Sequence, residues 1–284
     1  MANTAEFAHK FVPMLDEVYK NASLTAKLDG AAELARQGAN ANEMIIPMLD
    51  MQGLANYDPS SGYVQGDVTL KNQTVKCNYD RGRMFMVDTV ADADTAGLYF
   101  GRLAGEFIRT RVVPELDAFR FASYASAAGV GNKAEDLSTG DAVIAALRAA
   151  STKMDEAEVP LEDRHLFITP TLHGLIEDLD QNKSRAVLER FASVTLVPQS
   201  RFYTAVTLNA SGEGGFKKGS GTDINFLILH KEALIQFEKH VAPKIINPEQ
   251  NQDADAWKFG YRCVSIAQVY KNKAAGVYVS HKSA

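Results

Sequence analysis

The chain has 284 residues, 46% of them hydrophobic and 23% charged, which suits one large folded domain or two small ones. A net charge of -5 and a pI of about 5.7 argue against a protein that grips nucleic acid through its phosphates, since that needs a basic patch or tail. No window approaches the roughly 18 to 20 uninterrupted apolar residues of a membrane span, and residues 1–10 lack a basic start followed by an apolar stretch, so a soluble, unsecreted protein is expected.

Residues 1–42 read as an arm. Phe7, Phe11, Leu15 and Val18 make one helical stripe, whereas residues 21–42 are mostly small and polar, with little from which to build a core. From Glu43 the pattern becomes extended. Both faces are apolar through Leu49, and Pro47 argues against a central strand. Residues 52–66 are rich in turn formers and carry Tyr57 and Tyr63; an ordinary surface loop and an aromatic contact patch fit equally well. A two-residue turn at Asn72-Gln73 would pair Leu70 with Val75 and Val68 with Cys77, giving a hairpin that should project onto a neighbour or join a larger sheet. Lys71 and Lys76 on that hairpin could contact or crosslink a neighbour, although strand lysines that protect an edge are commoner.

A long helix is expected from about Asp94, its start favoured by Asp92 and Asp94 and its stripe formed by Phe100, Leu103 and Phe107. Pro114 should kink or break it before helical character resumes through Leu116, Phe119 and Ala122. The second half alternates element types. Helices are expected at 141–155 and 170–180, and strands at 165–169, 194–198, 224–230, 233–237, 241–246 and from Trp257 onward, which is α+β architecture. Residues 211–221 read as a flexible glycine-rich loop.

Constellations for chemistry are weak. The glycine order 212, 214, 215, 219 fits neither a dinucleotide fingerprint nor a P-loop. No two of the six histidines share a helix at three or four residue spacing, and Cys77 and Cys263 have no cysteine at ligand spacing, so neither a metal site nor a disulfide framework is suggested. Asp88, Asp92 and Asp94 lack the glycine and final glutamate of a calcium loop, and no serine sits in a nucleophile elbow. Neither a catalytic residue nor a cofactor is therefore expected, and the chain reads as not an enzyme.

One resemblance organises these pieces. Tyr79-Asp-Arg-Gly-Arg-Met-Phe-Met-Val-Asp88, then Gly105-Glu-Phe-Ile-Arg109 running into Val113-Pro-Glu-Leu-Asp-Ala-Phe-Arg120, come first in order. They are followed by Leu166-Phe-Ile-Thr-Pro170, Val197-Pro-Gln-Ser-Arg-Phe-Tyr203, Ile224-Asn-Phe226, Trp257-Lys-Phe-Gly-Tyr-Arg262 and Val269 to Tyr278. In this order they resemble major capsid proteins of tailed bacteriophages with the Hong Kong 97 type fold, over nearly the whole chain. The resemblance implies an arm (1–42), an extended loop (43–86), a peripheral domain with a spine helix (87–135 and 232–260) and an axial domain (136–231 and 261–284). It implies a virion head protein assembled in the cytoplasm of a bacterial host, its hexamers and pentamers closing an icosahedral-type shell around double-stranded DNA that is bound without sequence specificity. Expected subunit-interface residues are Tyr57, Tyr63, Lys71, Lys76, Arg81, Arg83, Arg109 and Glu115. Many relatives carry a long N-terminal scaffolding segment; here the arm starts almost at Met1, so a separate scaffolding protein is expected, with a portal at one vertex, no membrane partner, and room for a decoration protein. An encapsulin-like nanocompartment shell is the nearest rival reading, told apart by its cargo. A monomeric α+β enzyme is the more distant one and would need a compact pocket with convergent polar groups.

Overall fold

A chain in which apolar runs of strand length alternate with amphipathic helices must bury both faces of its strands between layers. The computed structural model describes residues 22–30, 36–37, 43–57, 59–60, 62–89, 98–179, 186–210 and 212–283. The helical stretch expected from Phe7 to Val18 and the helix-start acids Asp92 and Asp94 lie outside these residues.

The first strands form a ribbon: β1 (Arg36–Gln37), β2 (Glu43–Met51) and β3 (Val68–Lys76), in that order. The expected turn at Asn72-Gln73 is absent. Asn72 lies in mid-strand opposite Pro47, and β2 pairs with β3 without interruption from Glu43↔Lys76 to Met51↔Val68, so the chain reverses through the long loop 52–67 instead. Strand alternation explains the error, because Val75 falls on the opposite face from Val68 and Leu70. It is buried while they are exposed. Asn-Gln also lacks the glycine that a tight two-residue turn favours. Against expectation, β2 with its Pro47 is the middle strand of this ribbon; the proline is accommodated because, among the described residues, β1 reaches only Met44 and Ile45 and β3 alone runs beside Pro47.

The chain then enters β4 (Tyr79–Asp88) and, further on, a helical rod made of α1 (Leu98–Phe107), a π-helical turn (Ile108–Val112) and α2 (Val113–Ala125). Pro114 does not break it. The Val113 N–H already bonds to the Ile108 carbonyl five residues back, so the ladder has shifted one residue before the proline that lacks a donor. After β5 (Gly131–Ala134) come α3 (Gly140–Glu156), β6 (Arg164–Ile168), α4 (Pro170–Glu177) and β7 (Ser193–Leu196). The loop expected at 211–221 contains one short strand: β9 (Phe216–Lys218) pairs with β8 (Val206–Leu208), and the turn between them uses Gly212, Gly214 and Gly215 at positive φ. The remaining strands are β10 (Ile224–His230), β11 (Leu234–Ile246), β12 (Ala256–Val269) and β13 (Val277–His281). Two strands were expected where β11 is one, bent by a bulge between Glu238 and His240.

Two sheets carry the fold. A five-stranded sheet, β5-β13-β10-β6-β7, has every residue of its central strands β6 and β10 buried. One core joins Val143, Leu147 and Met154 of α3 and Ile176 of α4 to Leu166, Ile168, Phe226 and Ile228. A second core joins Phe121 and Tyr124 of α2 to Phe167, Leu227, Leu229, Val277 and Val279. The long sheet β11-β12-β4 packs Tyr79, Val87, Phe259 and Tyr261 against Ile108, Val112 and Leu116 of the rod. The rod thus belongs to both layers, which is the physical content of a spine helix. The expected boundaries after 86 and after 260 fall inside β4 and β12, whose pairing runs continuously from Tyr79↔Ser265 to Asp88↔Ala256.

Residues 22–30, expected to have little core of their own, enter this one: Leu28 joins the Phe121 core and Thr25 is buried. They pack against the rest of the same chain.

Candidate assembly surfaces

The ribbon ends in a tip that the subunit leaves uncovered. Gln52 and Asp67 close its neck, the Asp67 N–H donating to Gln52 Oε1 at 3.2 Å and the Gln52 N–H to the Asp67 carbonyl at 3.4 Å. Beyond the neck, Leu54 and Val64 stand in solvent and the Tyr57 and Tyr63 rings tilt against each other, centroids 5.0 Å apart. Tyr63 is 90% exposed and Tyr57 58%. A contiguous set of large apolar side chains on a thin ribbon is unfavourable in water, and such patches mark contact sites.

A second uncovered surface lies on the outer face of the long sheet. Alternation along β4 turns Phe85 and Val87 inward and exposes Met84 and Met86. Met84 pairs with Gly260 and Gly82 with Arg262. A Cβ at Gly260 would stand 3.2 Å from Met84 Cε, and one at Gly82 3.0 Å from the Tyr261 carbonyl, so the glycines keep this floor flat. Arg262 holds Asp80 with two hydrogen bonds of 2.9 and 2.7 Å.

The root of the ribbon is tied down from the other face of β4. Arg81 Nε donates to Glu115 Oε1 on α2 at 2.9 Å, and its Nη atoms donate to the carbonyls of Asn209 (2.8 Å) and Gly215 (3.4 Å). Arg83 donates to the carbonyls of Glu213 (2.9 Å) and Gly212 (2.6 Å). The Tyr79 hydroxyl also donates to Glu115, at 3.1 Å; burial first, and then this carboxylate, push the phenol well above its usual range. Burial pushes the nearby Cys263 thiol up to about 12, which keeps it inert. These residues line a groove of about 1460 Å³ between β4, the rod and the glycine turn. The turn presents carbonyls to guanidinium groups, the reverse of the amide cradle that a phosphate requires.

The structure therefore divides the expected interface residues. Tyr57 and Tyr63 meet at the tip; Arg81, Arg83 and Glu115 meet at the root, engaged within the subunit. Lys76 is exposed opposite Glu43 in the ribbon register, Lys71 pairs with Met48, and Arg109 stands on the π turn bound to Glu106 at 2.7 Å. Replacing Arg81 with lysine should keep the charge but lose the fork that reaches both carbonyls. We expect a loss of about 1–2 kcal/mol in urea denaturation, against about 0.5 kcal/mol or less for the same change at exposed Arg109.

What the sequence reading missed is a buried polar network around Asp117, Arg120 and Gln236, each 0% exposed. Ten of the thirteen residues of α2 are buried, Glu115, Asp117 and Arg120 among them, so each of these charges needs a partner.

No protein-family model matches the chain, and no curated protein matches it in sequence. Solved structures do. A structure from Mycobacterium phage Che8 superposes with a TM-score of 0.61 at 13% identity, over 91% of this chain and 90% of that one. The capsid of cyanophage P-SCSP1u gives 0.60 at 12% identity, over 87% and 85%. A virus-like particle from Pyrococcus furiosus gives 0.62 at 13%, over 97% and 100%. The chain has the fold of these structures. It is the α+β capsid fold that the resemblance implied.

Proposed function

We propose that this chain is the major capsid protein of a tailed bacteriophage, a structural subunit that assembles as hexamers and pentamers into an icosahedral-type shell around double-stranded DNA. The observation that carries the proposal is the uncovered ribbon on a capsid fold: among the described residues nothing buries Leu54, Tyr57, Tyr63 and Val64, whereas a neighbouring subunit would. In this reading the ribbon is the extended loop and laps over the adjacent subunit. The peripheral unit comprises β4, the rod, β11 and β12, so that it ends with those strands instead of at residues 86 and 260. The five-stranded sheet with α3 and α4 is the axial unit that packs around symmetry centres. A net charge of -5 suits a container that confines DNA without gripping it. A separate scaffolding protein and a portal complete the assembly.

Negative-stain electron microscopy of the purified chain, alone and with a candidate scaffolding protein shown to bind it, tests the proposal. Closed shells, tubes or open sheets are expected. Monomers under both conditions would overturn it. DNA in particles from infected cells supports the phage head; a cargo enzyme in its place would move the assignment to a compartment shell.

A further inference from the structure

Residues 22–30 touch both sheets and the helix between them within nine residues. Lys27 Nζ donates to Ser193 Oγ at 2.7 Å and to Thr195 Oγ1, both on β7 of the five-stranded sheet, and lies 5.2 Å over the Phe167 ring. Asp117 of α2 accepts from Ser23 Oγ (2.9 Å), the Leu24 N–H (3.1 Å) and Thr25 Oγ1 (2.7 Å). Gln236 of β11, in the long sheet, donates to the Thr25 carbonyl and to Asp29 Oδ1, each at 2.7 Å, and its backbone carbonyl accepts from the Gly30 N–H at 3.1 Å. Arg120 donates both to Thr25 Oγ1 (2.9 Å) and to Glu238 of β11 (3.1 Å), and Tyr124 donates to Gln236 Oε1 at 2.6 Å.

The chemistry of Asp117 makes this more than packing. A fully buried carboxylate is costly unless its lone pairs are met. Three of the donors to Asp117 come from Ser23, Leu24 and Thr25, while Arg201 stands 3.5 Å away. If the segment left, Asp117 would lose the donors from Ser23, Leu24 and Thr25 and keep only Arg201 and incoming water, so attachment of the segment and satisfaction of this carboxylate are coupled.

We propose that residues 22–30 are a clamp that fixes the angle between the two sheets, and that in an assembled shell this angle sets the curvature. The second half rests on the capsid reading; the first does not. In Asp117→Asn the amide nitrogen would face donors in place of an acceptor.

Hydrogen–deuterium exchange on the full chain tests the clamp. In Asp117→Asn, amides of 22–30 should exchange at least tenfold faster while those of β6 and β10 keep their protection. If the whole chain loosens, Ser23→Ala/Thr25→Val removes strap donors without touching α2, and unchanged exchange of 22–30 in that variant would overturn the clamp. Particle diameters are then measured by electron microscopy. A broadened or shifted distribution is expected. Wild-type diameters from a variant with a freed strap would overturn the link to curvature and leave the capsid reading standing. A wild type that makes no particles even with a scaffolding protein shown to bind it would sink that reading, while the exchange result would still decide the clamp.

Discussion

Replacing Tyr57 and Tyr63 together with alanine should leave the subunit folded and stop shell formation at concentrations where the wild type assembles. The two rings touch each other and little else at the ribbon tip, so their removal opens no cavity, and subunit stability should change by about 0.5 kcal/mol or less in urea denaturation. Assembly is a different matter. Buried tyrosines are among the side chains that carry interfaces, each typically costing about 2 kcal/mol or more on truncation, and each 1.4 kcal/mol is about a tenfold change in affinity. Because every subunit repeats the contact, the concentration needed for shells should rise at least about tenfold, read by sedimentation and electron microscopy. Assembly at the wild-type concentration would take the tip out of the interface and leave the flat Met84–Met86 floor as the surface to test next.

The contrast between stability and assembly also explains what was legible in the sequence. Elements that obey a period were readable: the apolar run that became β10 and the stripe that became α3 each state their own burial. Pairing was harder. A turn at Asn72-Gln73 and a continuous strand through it give the same extended conformation, and only the parity of Val75 against Val68 and Leu70 separates them. The π turn before Pro114 was hidden for a related reason, since a proline announces a missing donor without saying how the helix will absorb it. For Tyr57 and Tyr63 the sequence left an ordinary loop and an aromatic patch open, and only the fold shows that the two rings meet in solvent. The Asp117 network was invisible because its meaning depends on residues more than 90 positions away, at Ser23 to Thr25 and at Gln236. Similarly, the contact of Arg81 with Glu115, 34 positions apart, could not be read from either residue alone.

The same logic predicts where the subunit itself is most vulnerable. Phe121→Ala should cost about 3–5 kcal/mol of stability, as buried phenylalanine truncations do. Phe121 is fully buried and packs edge-on against two further rings, Phe167 at 5.2 Å and Phe202 at 5.1 Å, beneath Leu28 of the clamp. Three elements converge there: the rod, the five-stranded sheet and the segment after β7. The aromatic geometry adds about 0.5–1.5 kcal/mol per pair beyond area burial, so no single neighbour can move in to refill the space without giving up its own contacts. Phe121→Leu should recover a substantial part of the loss. Urea denaturation should show a lower midpoint with an unchanged slope, the sign of a native state weakened without a change in what it buries. A loss under about 1.5 kcal/mol would mean that the site collapses around the cavity and that these rings are not a rigid joint between the rod and the sheet.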